Sequence, residues 1–445
     1  MSQAQSLDEC YLQFLDDTRG VFTQYPQLEA IRHFIFKELL AQRKGVNWVD
    51  TAKHWLRPLI QRSRSQGQVE QADVLLWLEG RQEGMEALIP LQQELSLRKI
   101  RVQIGDFTGH ADPSSLAVNF PYRIRVPGWT TDAWNDLSSA VKDLRSTSIR
   151  RSFYQACAYV EALLEELHRI LALVNPKIVI ATSTQMIGGA ALMVASRSRG
   201  ILTMLLQHGI LQPFYLPVPA DYMLTWGQSS NDTLVRLGAP ADRLVALGSP
   251  RHDRMTPSYN GHNKTALLQA LALPEKPTFV FFSNGNDLVR NGNAPAECAM
   301  WLESAAKEYG ERINVVVRLH PNEDGSLYKN CPHLRIIKSV PDLATTLDGC
   351  DWVGSLCSTV LYDALIYEKP VWQFYSEGWP KLAENWEHGL AVRISSQAEL
   401  SQMILHALSE STESLSVGGL CGRVFANHGR ATQAVSDFIE SSLLN

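Results

Sequence analysis

From Ala72 onward, short apolar runs alternate with stretches of helical spacing, and nothing else in the chain restricts its fold as strongly. Ala72–Leu78 reads as a buried strand, Met85–Leu97 as an amphipathic helix and Arg98–Ile104 as a second strand. A strand, a crossover helix and a strand returning in the same direction make a parallel sheet. The pattern continues through the long helix Arg151–Leu173, which Asn175-Pro176 ends, and the strand Lys177–Thr182. A small-residue helix at Ile187–Ser198 then leads to strands at Ile201–Leu206, Tyr222–Gly227 and Leu244–Gly248, the last two separated by a helix at Gln228–Leu237. Between Arg251 and Pro277 it lapses into Asn, Gly, Pro and Thr around a short helix, the character of a linker. A second series follows, with strands at Pro277–Ser283, Ile313–Leu319, Leu334–Lys338, Trp352-Val353 and Pro370–Phe374. Helices are expected at Ala296–Tyr309 and Val360–Tyr367.

The expectation is an α/β protein of two Rossmann-like, doubly wound domains facing a cleft, preceded by an N-terminal helical extension. The extension covers residues 1–70, the first domain 71–255 and the second 256–445. A length of 445 residues exceeds one ordinary core and suits two. The Trp- and Pro-containing segment Pro121–Ser146 reads as an insertion in the first domain. A net charge of −5 lacks the basic excess of a nucleic-acid-binding domain, so no nucleic-acid partner is expected.

The seven cysteines are scattered, odd in number and never spaced as Cys-x-x-Cys, the usage of reduced thiols. The polar, acidic first ten residues are the opposite of a secretory signal, and no run reaches the roughly 20 apolar residues of a membrane span. A cytoplasmic location follows as the expectation. Trp55, Leu56, Leu59 and Ile60 interleave with Lys53, Arg57, Arg62 and Arg64, which reads either as a helix face on the domain or as a peripheral anchor at the inner face of the membrane.

Chemistry-bearing residues fall where strands end. Arg318-Leu319-His320-Pro321 closes the run Ile313–Val317, which places His320 at a strand's carboxyl end, the edge at which open α/β sheets bind ligands. Ser355, Ser358 and Thr359 stand between the next strand and the helix Val360–Tyr367, where free N–H groups attract phosphate. Each has a plain structural reading too, since Ser and Thr are ordinary helix caps. Their succession in consecutive strand–helix units favours a nucleotide phosphate held from two sides. Ser283 and Asn284 open a Gly-containing loop after the first strand of the second series, either a donor contact or a turn. Arg318 either adds charge beside His320 or pairs with an acid such as Asp351. Arg251-His252-Asp253 reads as a hinge or a donor contact. No Asp-x-Asp lies at a strand end, and none of the 12 histidines pairs at metal-ligand spacing with a third ligand. Neither a metal nor another cofactor is expected.

The segments LQHGI, ADYMLTWGQSS, LGAP…LGSPRHD, VVVRLHPNED and CDWVGSLCSTVLYDALIYEKPV, in that order, resemble bacterial GT-B-type transferases of surface-polysaccharide synthesis. The near relatives are the capsule sialyl- and Kdo-transferases and the CDP-glycerol glycerophosphotransferases. The resemblance spans roughly Ala72 to Gln373 and implies a GT-B-like fold. It implies nucleotide and phosphate binding by His320, Pro321, Ser355, Ser358 and Thr359. It also implies a catalytic base at His208, by likeness to the His-Gly of the glycerophosphotransferases, or at Glu79, by likeness to an acidic-acidic-Gly motif of the sialyltransferases. The sequence departs from the pattern in having Gln207 before that histidine, one acid rather than two before Gly80, and Cys357 among the serines.

A histidine near its ordinary pKa of about 6.5 accepts a proton at neutral pH, whereas a glutamate does so only if burial raises it, which tilts the choice to His208. The resulting expectation is a metal-independent glycosyltransferase using a CMP- or UDP-sugar, with a glycan or lipid-linked glycan as acceptor. Alternatives are a glycerophosphotransferase, an isomerase resembling the UDP-sugar 2-epimerases, and a non-catalytic scaffold. The epimerase reading asks for several acids near the sugar, and the sequence offers Glu79, Glu83 and Asp106 without a supporting pattern. Acceptor recognition is expected from the N-terminal helices and the Trp129–Trp134 segment.

Overall fold

The computed structural model describes residues 7–43, 69–79, 82–107, 116–118, 125–141, 143–144, 146–258, 262–284, 292–377, 379, 385–409 and 419–444. The Trp55–Arg64 cluster, Glu83's side chain and the part of the 121–146 segment before residue 125 lie outside the described residues. The chain forms two compact units, Asp8–Asp253 with Phe425–Asn445, and Met1–Leu7 with Arg254–Val424.

In the first unit, α1 (Leu7–Gln24) and α2 (Arg32–Arg43) precede β1 (Val74–Leu78), α3 (Gln82–Leu97), β2 (Val102–Asp106) and the two-residue β3 (Leu116–Ala117). Then come α4 (Thr130–Ala140), α5 (Thr147–Val174), β4 (Ile178–Ala181), α6 (Ile187–Arg197), β5 (Leu202–Leu206), β6 (Tyr222–Thr225), α7 (Gln228–Arg236) and β7 (Leu244–Ala246). The strands pair in parallel in the order β3-β2-β1-β4-β5-β6-β7. The direction of winding reverses between β1 and β4. All five residues of β1 are buried, as a central strand covered on both faces requires.

The second unit contains α8 (His262–Leu271), β8 (Thr278–Phe282), α9 (Ala294–Tyr309), β9 (Asn314–Arg318), β10 (Arg335–Ile337) and α10 (Leu343–Gly349). It continues with β11 (Trp352–Ser355), α11 (Val360–Ile366), β12 (Val371–Phe374), β13 (Val392–Ile394), α12 (Gln397–Ser409) and α13 (Leu420–Val424). Its sheet, also parallel, runs β10-β9-β8-β11-β12-β13 and reverses between β8 and β11. Phe279, Trp352, Trp372 and Phe374 stack through its centre, with centroids of the adjacent pairs 4.9–6.4 Å apart.

Two boundaries expected from sequence need correction. The C-terminal helix α14 (Ala431–Leu444) belongs to the first unit, where Val435 and Ile439, four residues apart on one face, join the core of β1 and α3. Asp253 accepts from the N–H groups of Ala431 and Thr432 at 2.9 and 2.7 Å, placing a carboxylate at that helix's N-terminus. Arg98, directly after α3, bonds Asp437 and Glu440 at 2.6 and 3.0 Å. His252 is fully buried between Trp226 and Phe425, and Arg251 pairs with Glu86 at 2.9 Å, so this tripeptide anchors the returning chain. The N-terminal helices likewise belong to the first unit. Tyr11, Phe14 and Phe36 pack together, and Tyr11 and Phe36 lie against Phe214 at 4.7 and 5.9 Å.

The insertion expected at Pro121–Ser146 contains a helix, α4. Its Trp134 is core, packed on Phe153 at 5.4 Å, while Trp129 stacks on Tyr25 at 6.2 Å. These rings are engaged in packing, which leaves the expected acceptor platform without support.

Glu38 on α2 is 3% exposed, and burial pushes its carboxyl up to about 7. The folded state therefore keeps a proton that the unfolded chain releases near its ordinary 4.5, so this group lowers stability as pH rises from about 4.5 through 7. Glu38→Gln is expected to raise the melting temperature at pH 8 and change it little at pH 5. An equal shift at both pH values, read by calorimetry, would contradict the assignment.

Candidate functional site

Because each sheet is wholly parallel, every loop that follows a strand lies on one edge, and the chemistry-bearing residues of each unit collect there. In the second unit β9, β8, β11 and β12 are neighbours, so their following loops are adjacent. Asn284, after β8, ties its loop to the one after β11. Its Oδ1 lies 2.7 Å from the Ser355 hydroxyl and accepts from the Cys357 N–H at 3.2 Å, while its Nδ2 donates to the Cys357 carbonyl. Gln373 on β12 holds the same loop from the other side, donating to the Leu356 carbonyl at 2.8 Å. Ser358 and Thr359 sit half-buried on the loop thus clamped, directly before α11.

His320 and Pro321 are exposed at the end of β9. The His320 Nδ1 accepts from the Asn322 N–H at 3.2 Å, so the neutral ring carries its proton on Nε2 and presents a donor outward. Behind it, Glu323 is 3% exposed and accepts from the His320 N–H at 2.8 Å and from the Ser283 hydroxyl. One buried carboxylate thus joins the loops after β8 and β9. Burial of the Tyr328 phenol, with a smaller contribution from Glu323, raises its pKa, and a bond with Ser283 lowers it in part. Glu323 was not among the residues expected at the site. Its position three residues after His320 was the available signal, because a side chain there can bond back to the histidine's N–H.

Arg318 has a different place from the one expected. Its guanidinium donates to the Pro341 carbonyl at 2.5 Å and to the Thr346 hydroxyl at 2.9 Å, pinning the loop between β10 and α10. Burial lowers its pKa and Asp342 opposes that shift. Asp351, its alternative partner, pairs with Lys264 at 2.9 Å.

In the first unit, Glu79 follows β1 at the point where winding reverses, and Asp106 ends β2 as the register partner of Leu78. Two carboxylates far apart in sequence are thereby on adjacent strand ends, both buried. Glu79 lies against the first turn of α6: a Cβ added to Gly188 or Gly189 would stand 2.9 Å from its Oε1. A carboxylate so placed meets the positive end of the helix dipole. Thr182, Ser183 and Thr184 line the neighbouring end of β4, and all three are buried. The Tyr159 phenol is pushed up by burial first and by the Glu79 charge second.

His208 follows β5, two strand spacings or about 10 Å from the end of β1. It is half-buried, and its Nδ1 lies 3.3 Å from the Tyr215 hydroxyl. Gln207 explains its own place before this histidine. It accepts from the Trp226 N–H at 2.9 Å, donates to the Gly209 carbonyl at 3.0 Å and receives the Trp226 indole N–H on its carbonyl at 2.9 Å. An amide with both a donor and an acceptor satisfies this buried corner where an aromatic ring would not.

Among the described residues no group of three His, Cys, Asp or Glu side chains is arranged to hold a metal ion. No described helix is long and apolar enough to cross a membrane.

No protein-family model and no curated protein matches this sequence. Solved structures do. MnaA of S. aureus, in a co-structure with UDP, is 13% identical with a TM-score of 0.54, over 84% of this chain and 97% of its own. The UDP-GlcNAc 2-epimerase of Neisseria meningitidis, bound to UDP-GlcNAc, is 12% identical with a TM-score of 0.54, over 83% and 100%. HepE of Anabaena, in complex with UDP-glucose, is 13% identical with a TM-score of 0.55, over 83% and 100%. The likeness covers both units. The chain has a two-domain, Rossmann-like fold of the GT-B type.

Proposed function

We propose that this protein is an enzyme acting on a UDP-activated sugar, with the nucleotide held at the carboxyl edge of the second sheet. The observation that carries this reading is the clamped loop Ser355–Thr359 on the same sheet edge as the outward donor of His320, on a fold shared with proteins solved with UDP or a UDP-sugar. Small hydroxyls, backbone N–H groups and an imidazole N–H match a diphosphate's need for several donors.

Isomerisation of the sugar is the chemistry that the likeness to a UDP-GlcNAc 2-epimerase favours over transfer. It gains further support from Glu79 and Asp106, which the fold brings to adjacent strand ends where the sequence offered only scattered acids. Transfer of the sugar to a hydroxyl acceptor is supported by His208, a half-buried imidazole with an oriented ring, suited to take the acceptor's proton. His208 is the more accessible acid–base candidate for either reaction, since Glu79 is 6% exposed.

Titration calorimetry with UDP, CMP, CDP, GDP and ADP tests the nucleotide assignment. UDP is expected to bind, and His320→Ala to weaken it about 10-fold, the loss of one good hydrogen bond. Absence of UDP binding to the folded wild-type protein would sink the proposal. Incubation with UDP-GlcNAc alone, followed by NMR of the sugar, separates the chemistries: isomerisation proceeds without acceptor, and transfer does not.

A further inference from the structure

We infer that Tyr215 is a positioning residue that holds His208 as its Nδ1–H tautomer, and that the N-terminal helices act on the site through Tyr215. The inference rests on His208 being the acid–base group of the proposed reaction. The Tyr215 hydroxyl faces Nδ1 at 3.3 Å, so proton exchange with a substrate falls to Nε2. A ring that accepts a proton at Nε2 must carry its own hydrogen on Nδ1, and that hydrogen then points at the Tyr215 oxygen. When Nε2 takes a proton from a substrate, the ring becomes an imidazolium whose Nδ1–H keeps the same partner. No second proton moves.

Tyr215 owes its place to groups far away in sequence. It is 3% exposed in a short turn, Pro213–Tyr215, and the residues on either side of it are both tied to the N-terminal helices. Before it, the Phe214 ring is packed by Tyr11 at 4.7 Å, Phe36 at 5.9 Å and His33 at 6.0 Å. After it, the Leu216 carbonyl accepts from the Tyr11 hydroxyl at 2.9 Å. Burial pushes the Tyr11 phenol well above its ordinary pKa, which keeps it a donor. His33, stacked on Tyr11 with centroids 5.6 Å apart, is pushed down to about 3 by the same burial and stays neutral inside the cluster. The turn is thus fixed at both flanks of Tyr215.

The test uses the full chain labelled with nitrogen-15 at histidine, with the His208 ring signals assigned from a His208→Gln sample. Long-range proton–nitrogen correlation spectra at pH 8 report which ring nitrogen carries hydrogen. Wild type is expected to show His208 mainly as Nδ1–H. Tyr215→Phe, which deletes one oxygen, is expected to move the tautomer ratio about fivefold towards Nε2–H, the equivalent of one net hydrogen bond. Tyr11→Phe should move it in the same direction by releasing Leu216. An Nε2–H ring in wild type, or an unchanged ratio in Tyr215→Phe, overturns the inference about Tyr215; an unchanged ratio in Tyr11→Phe overturns the part given to the N-terminal helices. The readout needs no turnover. If His208→Gln keeps its activity while the tautomer result stands, the acid–base reading fails and the positioning does not.

Discussion

His208→Gln is expected to reduce kcat for a UDP-sugar by about 10²- to 10⁴-fold while leaving the UDP affinity unchanged. Glutamine preserves polarity and approximate size but cannot accept a proton at neutral pH. In the proposed function the nucleotide is held by loops of the second unit, whereas His208 follows β5 in the first, so binding and proton transfer should separate cleanly. A fall in kcat alone is the mark of a group used only in the transition state. Parallel replacement Glu79→Gln tests the other candidate. If His208→Gln turns over at the wild-type rate and Glu79→Gln does not, the base is the buried carboxylate.

Gly189→Ala should destabilise the first unit by about 3 kcal/mol, lowering its melting temperature by about 5–10 °C. The added Cβ would stand 1.9 Å from the Ser183 carbonyl oxygen and 2.9 Å from the Glu79 carboxylate. The closest atom is backbone, so no side-chain rotation relieves the clash, and either the loop after β4 or the start of α6 must move. Gly20→Ala provides the opposite sign. Gly20 lies inside α1 with nothing within 4 Å of its added Cβ, and alanine there should stabilise by about 1 kcal/mol through helix propensity. Scanning calorimetry of the two variants checks both directions. A neutral Gly189→Ala would mean that Glu79 and α6 are not packed as closely as described.

Much of the strand framework was readable because its strands are buried on both faces and therefore appear as unbroken apolar runs. Ile201–Leu206 became Leu202–Leu206, and Pro277–Ser283 became Thr278–Phe282. Both sheets were legible in this way except for β3 and β13, edge strands of two and three residues, too short to leave a period, and for β2, which was expected at Arg98–Ile104 and lies at Val102–Asp106, where polar residues break the apolar run. His208, His320, Ser355, Ser358, Thr359, Ser283 and Asn284 could be placed at strand ends for the same reason: once a run is a parallel strand, the residue after it must lie on the ligand-binding edge. Arg318 shows the limit of that logic. Alternation along β9 sets the face from which its side chain leaves, but the long guanidinium arm reaches the carbonyls of another loop.

Local pattern therefore carries the α/β class, the parallel strands and the edge on which the chemistry gathers, because burial and alternation act over a few neighbouring residues. It carries neither the return of α14 to the first unit nor the support of Tyr215 by Tyr11, contacts between residues more than 170 positions apart. Nor does it show that Glu323 links the loops after β8 and β9, or that Glu79 rests on Gly188 and Gly189 beside Asp106. These depend on which strand ends become neighbours when the sheets are wound. That order is decided by packing of the whole chain, and no short segment contains it.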